Sequence, residues 1–259
     1  MAINKESQSF TFIFSIAMVV IVATVLSLAA LGLKEPQQEN QRQEKMQNIL
    51  ASIQVIVDRS QATAEFGNYV KKRIVLNHKG EAISTLEGDI KTLKDDGPEA
   101  FEADAFNIDI KKQYRDQSLA KEDKVYPLFV CEKDGETSYV VPMVGTGLWG
   151  PIWGYLALGP DMNTVIGATF DHKTETPGLG AEINQGWFQD PFVGDKIFND
   201  KGEFVSIDVI KGGADPSNPH GVDAITGGTI TSVGVANMLE NTLAVYVPYF
   251  KNNADIASI

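Results

Sequence analysis

Residues 223–232 read DAITGGTITS, an acid, two adjacent glycines and four hydroxyl side chains directly ahead of an apolar run. Gly227 and Gly228 remove side chains where a backbone must turn sharply or let a ligand approach. The N–H groups that open a following helix point toward the same place, an arrangement that suits a phosphate. The hydroxyls of Thr226, Thr229, Thr231 and Ser232 can donate to such a group, cap the helix or, at one position, be esterified by it. An ordinary loop with Thr or Ser as helix N-cap uses the same residues, and local composition does not separate the two readings. A P-loop is excluded, because no Lys follows the second glycine and the glycine spacing of that motif is absent.

Two further stretches carry candidate chemistry. Residues 171–182, DHKTETPGLGAE, place Asp171, His172 and Glu175 at the end of an expected strand, after which Pro177 and the glycines bend the chain. His172 and Glu175 make a poor metal pair: only a helix puts that spacing on one face, and Pro177 opposes a helix. A polar turn remains, or a loop that wraps a planar cofactor with its glycine backbone. Residues 145–154, GTGLWGPIWG, hold four glycines and two tryptophans. In an extended segment Trp149 and Trp153 project to one face, where filling the core is expected ahead of stacking on a ring.

The elements that must position these loops follow from patterning. The 24 residues from Phe10 to Leu33 carry no charge and can span a ~30 Å hydrocarbon layer. They are too long for the apolar core of a signal peptide, about 7–15 residues. Lys5 precedes this span while Lys34, Arg42 and Lys45 follow it, so charge bias assigns no side of the membrane. A polar stalk comes next, expected to become helical as Ile49, Ile53 and Ile56 return. Residues 74–76 and 82–86 read as short strands around the turn NHKGE. From Leu93 to Asp123 charge dominates, with Phe101, Phe106, Ile108 and Ile110 spaced irregularly, which predicts a small, partly helical insertion.

The second half reads as strands. YPLFVCEKDGETSYVVPMVG is a hairpin about Asp-Gly, GPIWGYLALG and TVIGATFDH are two strands about the turn PDMN, and FVSIDVIKGG adds one more. Ala236, Leu239, Leu243 and Tyr246 recur at helical spacing, predicting a helix from Ser232 that stops before Pro248. The expected fold is α+β: an N-terminal transmembrane helix, then an antiparallel-sheet domain with flanking helices. The expected divisions are 1–9 tail, 10–33 membrane helix, 34–125 stalk and α/β insertion, and 126–259 domain.

Composition narrows the function. A net charge of −12 opposes a nucleic-acid partner, which normally requires a basic stripe. Cys131 is the sole cysteine, so the chain forms no internal disulfide and no cysteine-based metal centre, and this residue reads as a small buried hydrophobe.

GTGLWG, HKTETPGLG and DAITGGTITS, in that order behind one membrane span, resemble the FMN-binding domain of the C subunit of the Na+-translocating NADH:quinone oxidoreductase, over nearly the whole chain. In that family the third motif runs Asp, two variable residues, Ser or Thr, Gly, Ala and Thr. The last Thr carries FMN through a phosphodiester installed by a separate flavin transferase. The resemblance implies Thr229 as the acceptor, with Asp223, Thr226 and Gly227 completing the motif and Thr231 as the fallback acceptor. Gly228 stands where the family has Ala. His172, Glu175, Thr176, Leu179 and Gly180 fall on the second motif, beside the flavin. Thr176 is then a hydrogen-bonding partner of the flavin, Leu179 a cover for its apolar face, and Trp149 part of the same lining.

The implied function is one-electron transfer between partner subunits of a sodium-pumping complex in the inner membrane, with the soluble domain periplasmic. No catalytic acid, base or metal is needed, and no complete site for NADH or quinone is expected in this chain. The G subunit of the related Rnf electron-transport complex shares the flavin domain and the anchor; the insertion over roughly residues 60–125 favours the sodium pump. Readings of a different class are a membrane-tethered hydrolase using His172 and Glu175, and a non-catalytic binding module.

Overall fold

The structure, a computed structural model, describes residues 7–88, 90 and 104–253. The first element, α1 (Gln8–Ser52), is continuous through both the apolar span and the polar stretch after it. The chain divides after Lys45 into a unit holding most of this helix and a second unit beginning at Met46, which takes in the helix's last turns. The stalk was expected to become helical only as apolar residues return at Ile49; instead Glu, Gln and Lys, good helix formers, let one helix run unbroken through it to Ser52. Met46, Ile49 and Leu50 are buried in the second unit. The Ser52 hydroxyl donates to the Ile49 carbonyl at 2.7 Å, and Gln54 takes φ 58°, which breaks the helical path. Ile53 is buried, whereas Ile56 faces solvent rather than continuing a stripe.

A six-stranded antiparallel sheet follows, in the order β2-β1-β3-β4-β5-β6. Its strands are β1 (Val70–Leu76), β2 (Ala82–Glu87), β3 (Tyr126–Lys133), β4 (Glu136–Thr146), β5 (Pro151–Leu158) and β6 (Val165–His172). The β3–β4 turn has φ 54° at Asp134 and 83° at Gly135, the two left-handed positions of a type I′ hairpin. Alternate residues face opposite cores. Leu128 and Val130 lie in the core with the C-terminal helix, while Phe129 and Cys131 lie in the core with the end of α1 and α2 (Ala62–Tyr69). Both faces are covered, which explains why β3 and β5 read as nearly continuous apolar runs. Because β1 pairs with β3, a boundary at 125/126 marks a change in sequence character without separating two packed units.

Part of the charged insertion, including Phe101, lies outside the described residues. The remainder forms short helical turns, among them α3 (Ile110–Arg115), and is fastened by a buried ion pair. Arg73 Nε donates to both Asp104 oxygens at 3.0 and 3.2 Å, and its Nη1 donates to the Gly88 carbonyl at 2.6 Å. Asp104 also accepts from the Phe106 N–H at 2.9 Å, which seats that ring edge-on against Phe66 at 5.2 Å.

Beyond β6, a single-turn helix α4 (Gly186–Gln189) leads to β7 (Asp208–Ile210) and β8 (Gly221–Asp223). The strand expected near 204–213 is thus short and pairs in parallel with β8, outside the main sheet. Residues 211–220, turned by Gly212 and Gly213 at φ 92° and 106°, make the crossover that a parallel pair needs. The last element, α5 (Thr229–Asn253), starts earlier than Ser232 and runs through Pro248. Burial carries it past the proline: Tyr246 and Phe250 stack at 6.0 Å in the core, and the Tyr246 hydroxyl donates to the Pro127 carbonyl at 2.8 Å.

Charge burial gives these contacts unequal weight. Asp104→Ala removes the carboxylate that balances the buried Arg73 charge and is expected to cost about 3–5 kcal/mol, read as a lower urea midpoint. Lys72→Ala at the exposed Lys72–Glu87 pair is expected to cost less than ~1 kcal/mol in the same assay. Desolvation, partly offset by His220, pushes the Asp195 carboxyl from 3.8 up to about 6, and its Oδ2 is buried with no hydrogen-bond partner. The folded state therefore holds this proton more tightly than the unfolded chain. The resulting stability is fully present below pH 3.8 and is lost as pH rises through about 6. Asp195→Asn is expected to flatten the melting temperature across that window, as measured by thermal melts at a series of pH values on either side of it.

Candidate functional site

The three motif loops meet at one end of the sheet. Thr146 pairs with Pro151 and Ile152 with His172, so the β4–β5 turn and the segment leaving β6 emerge side by side. The turn is closed by the Gly147 N–H on the Gly150 carbonyl at 2.8 Å. Helix α5 crosses β4 here at very short range: a Cβ on Gly234 would lie 2.4 Å from the Thr146 oxygen, and one on Gly145 would lie 2.8 Å from Met238 Cβ. Glycine at both places brings the start of the helix to the same end of the sheet.

Glu175 is 5% exposed and joins all three loops. Its Oε1 accepts from the Trp149 N–H at 2.8 Å, and its Oε2 accepts from the Thr231 hydroxyl at 2.7 Å. Two missing side chains make room for the carboxylate. A Cβ on Gly147 would sit 2.6 Å from Oε1, and one on Gly180 would sit 2.5 Å from Oε2 and 2.4 Å from Thr231 Oγ1. His172 Nδ1 accepts the Glu175 N–H at 3.2 Å, so the imidazole orients the backbone of the loop. With Glu175 buried and both of its oxygens taken, the carboxylate is not presented to a hydrolytic substrate.

The turn before α5 is built for close approach. The Gly228 N–H donates to the Ile225 carbonyl at 3.0 Å, and Gly227 at φ 80° is the left-handed third residue of a type II turn. Leu179 covers this turn: a Cβ on Gly227 would come within 2.7 Å of its Cδ2. Gly228 accepts the first helical bond, from the Ser232 N–H at 2.9 Å, and the Ser232 hydroxyl reaches back to accept from the Ile225 N–H at 3.0 Å. A glycine therefore occupies the N-cap, where Thr or Ser was the alternative reading, and the first amides of α5 have no intrahelical acceptor. Thr229 opens the helix half-buried, Thr226 is exposed, and Thr231 is buried and committed to Glu175. Asp223 is exposed and accepts from the Ala214 N–H at 2.6 Å, tying the turn at Gly212 and Gly213 to β8. At Gly228 a Cβ would meet Ile225 Cγ2 at 2.9 Å, so the isoleucine fills space that an alanine methyl would need.

Trp149 departs from the core position expected for it. It belongs to the β4–β5 turn, not to a strand, and is 65% exposed. Trp153, on β5, is half-buried with Lys111 Nζ 3.1 Å from its ring centroid, so strand alternation does not relate the two rings. Leu179, against the turn at Gly227, and Ile230 and Val233, on the first turns of α5, are also exposed and give an apolar ledge beside Thr229, while Leu148 is exposed on the β4–β5 turn. Thr176 is exposed, and its carbonyl accepts from Leu179 and Ala181 at 3.1 Å each. Patterning did not single out Gly147, Ile225 or the tie between Thr231 and Glu175, because each depends on residues far apart in sequence.

The donor set suits a flavin phosphate: helix-start amides without intrahelical acceptors, a hydroxyl at the first helical position, glycine turns that admit no Cβ, and an exposed indole with aliphatic side chains at the rim. The sequence profile of the FMN-binding domain family matches residues 147–244, a span holding all three loops. The C subunit of the Na(+)-translocating NADH-quinone reductase of Haemophilus ducreyi is 31% identical, with 97% of this chain and 97% of that protein covered. Its counterpart in Neisseria meningitidis serogroup B is 32% identical, with 95% and 94% covered. The crystal structure of the C subunit from Parabacteroides distasonis superposes with a TM-score of 0.69 at 39% identity, over 84% of this chain and 96% of that one. The chain thus belongs to the family of C subunits of the Na(+)-translocating NADH-quinone reductases and carries that family's FMN-binding domain.

Proposed function

We propose that this chain carries FMN as a phosphodiester on Thr229 and relays electrons one at a time between partner subunits of a sodium-pumping NADH:quinone reductase. The observation that carries the assignment is the contrast between two threonines on one helical turn. Thr229 stands at the helix start, half-buried, while the Thr231 hydroxyl is buried and donates to Glu175. FMN, when bound, supplies the reversible electron acceptance that no side chain here offers. The chain holds and shields it. The amides opening α5 favour the single negative charge of a phosphodiester by up to ~1 kcal/mol. The exposed Asp223 and Thr226 are open to a flavin transferase, which we infer installs the group. Trp149 and Leu179 offer apolar surface to the ring, and Thr176 adds polar groups at the rim. Covalent attachment keeps the carrier from diffusing away between partners.

Helix α1 is long and apolar enough to cross a membrane, and we infer that the unit beyond it faces the periplasm of a bacterial inner membrane. One span without charged residues between Phe10 and Leu33 provides no ion path, so pumping rests on the partners.

Co-expression with a flavin transferase, followed by denaturing electrophoresis, tests the attachment. The wild-type band is expected to fluoresce, Thr229→Ala to lose more than about nine-tenths of the signal, and Thr231→Val to keep it. A colourless wild-type chain, or a fluorescent Thr229→Ala, overturns the assignment. Topology needs an introduced thiol. Cys131 is buried and burial pushes its pKa up to about 12, which leaves it unreactive. Lys201→Cys, on an exposed turn, is expected to react with a membrane-impermeant maleimide in intact cells; labelling only after lysis would place the domain in the cytoplasm.

A further inference from the structure

Glu175 lies beneath the ledge around Thr229, not on it. A buried carboxylate is costly to desolvate, and a well-packed neutral residue would often serve stability equally well. Its two engaged oxygens point to what such an acceptor does here. One oxygen takes the Trp149 N–H and the other takes the Thr231 hydroxyl. The neighbouring Thr174 hydroxyl donates to the Trp149 carbonyl at 3.1 Å, so the segment after β6 clasps both backbone groups of Trp149. The indole above that backbone is 65% exposed and has little packing to fix it. The seat is specific, since a methyl at Gly147 or Gly180 would fall on the carboxylate oxygens.

We propose that Glu175 is a positioning residue of the cofactor site. Its carboxylate couples the backbone of Trp149 to the first turn of α5, so that the exposed indole and the Thr229 hydroxyl keep fixed relative places before any cofactor is attached. This builds on the reading of Thr229 as the flavin site. Glutamine preserves the coupling, because its carbonyl accepts from Trp149 while its amide donates to the Thr231 oxygen. Alanine at 175, or Thr231→Val, removes it.

Hydrogen–deuterium exchange on the full chain in detergent, produced without a flavin transferase, reads the coupling directly. Glu175→Ala and Thr231→Val are expected to raise exchange in peptides covering residues 147–150 by ~10-fold or more, with the β3–β4 hairpin unchanged. Glu175→Gln is expected to stay within about threefold of wild type. Wild-type exchange in Glu175→Ala overturns the proposal, and so does a Glu175→Gln that behaves like Glu175→Ala. If Glu175→Ala loosens the whole domain, Thr231→Val, which cuts one arm only, decides by the same criterion. On flavin-loaded chains, the anisotropy of flavin fluorescence is expected to fall in Glu175→Ala and recover in Glu175→Gln; an unchanged anisotropy overturns the positioning role. Absence of flavin from the wild type would defeat the Thr229 reading alone, since the exchange experiment needs no flavin.

Discussion

Where α5 crosses β4, the separation is so small that a methyl on Gly234 would lie 2.4 Å from the Thr146 carbonyl oxygen. A residue with a Cβ at that crossing, or at Gly145, would push the helix away from the sheet. The start of α5 would move with it, and Thr231 would leave the reach of Glu175. The loop end of the domain therefore depends on a backbone contact between Thr146, where β4 enters its turn, and Gly234, early in α5. Core burial maintains the contact along the rest of the helix, through Val235, Met238, Leu239, Leu243, Tyr246 and Phe250.

The two faces of the sheet divide the labour. On one face α5 and the loops after β6 build the ledge around Thr229. On the other, the last turns of α1, with α2 and Phe106, form a separate core. The buried Arg73–Asp104 pair belongs to this second side, where it anchors the insertion to β1. In a chain of net charge −12, carboxylates near the site are engaged: Glu175 by two donors and Asp223 by the Ala214 N–H.

Much of the architecture was legible because its signals are local. Asp134-Gly135 specifies a type I′ hairpin through two left-handed residues, and the flanking alternation sets the strands. The same holds for the type II turn at Gly227, where glycine is the residue that enters the left-handed region without strain. Other elements were set by distant partners. Pro248 stops an isolated helix, yet burial of Tyr246 and Phe250 outweighs the lost backbone bond. Trp149 looked like a core residue by type and spacing, but the β4–β5 register places it in a turn and exposes it.

Apolar length, alternation and glycine turns act over a few residues, which is why the anchor, the strands of the main sheet and the three glycine-rich loops could be read from the chain alone, while the short β8 could not. Which hydroxyl stays open depended on packing between segments far apart in the chain. By residue type alone Thr229 and Thr231 are alike in DAITGGTITS, and only the family resemblance ranked them; in the fold they differ because Glu175, 56 positions from Thr231, is held by Gly147 and Gly180 where it captures one hydroxyl and leaves the other at the helix start.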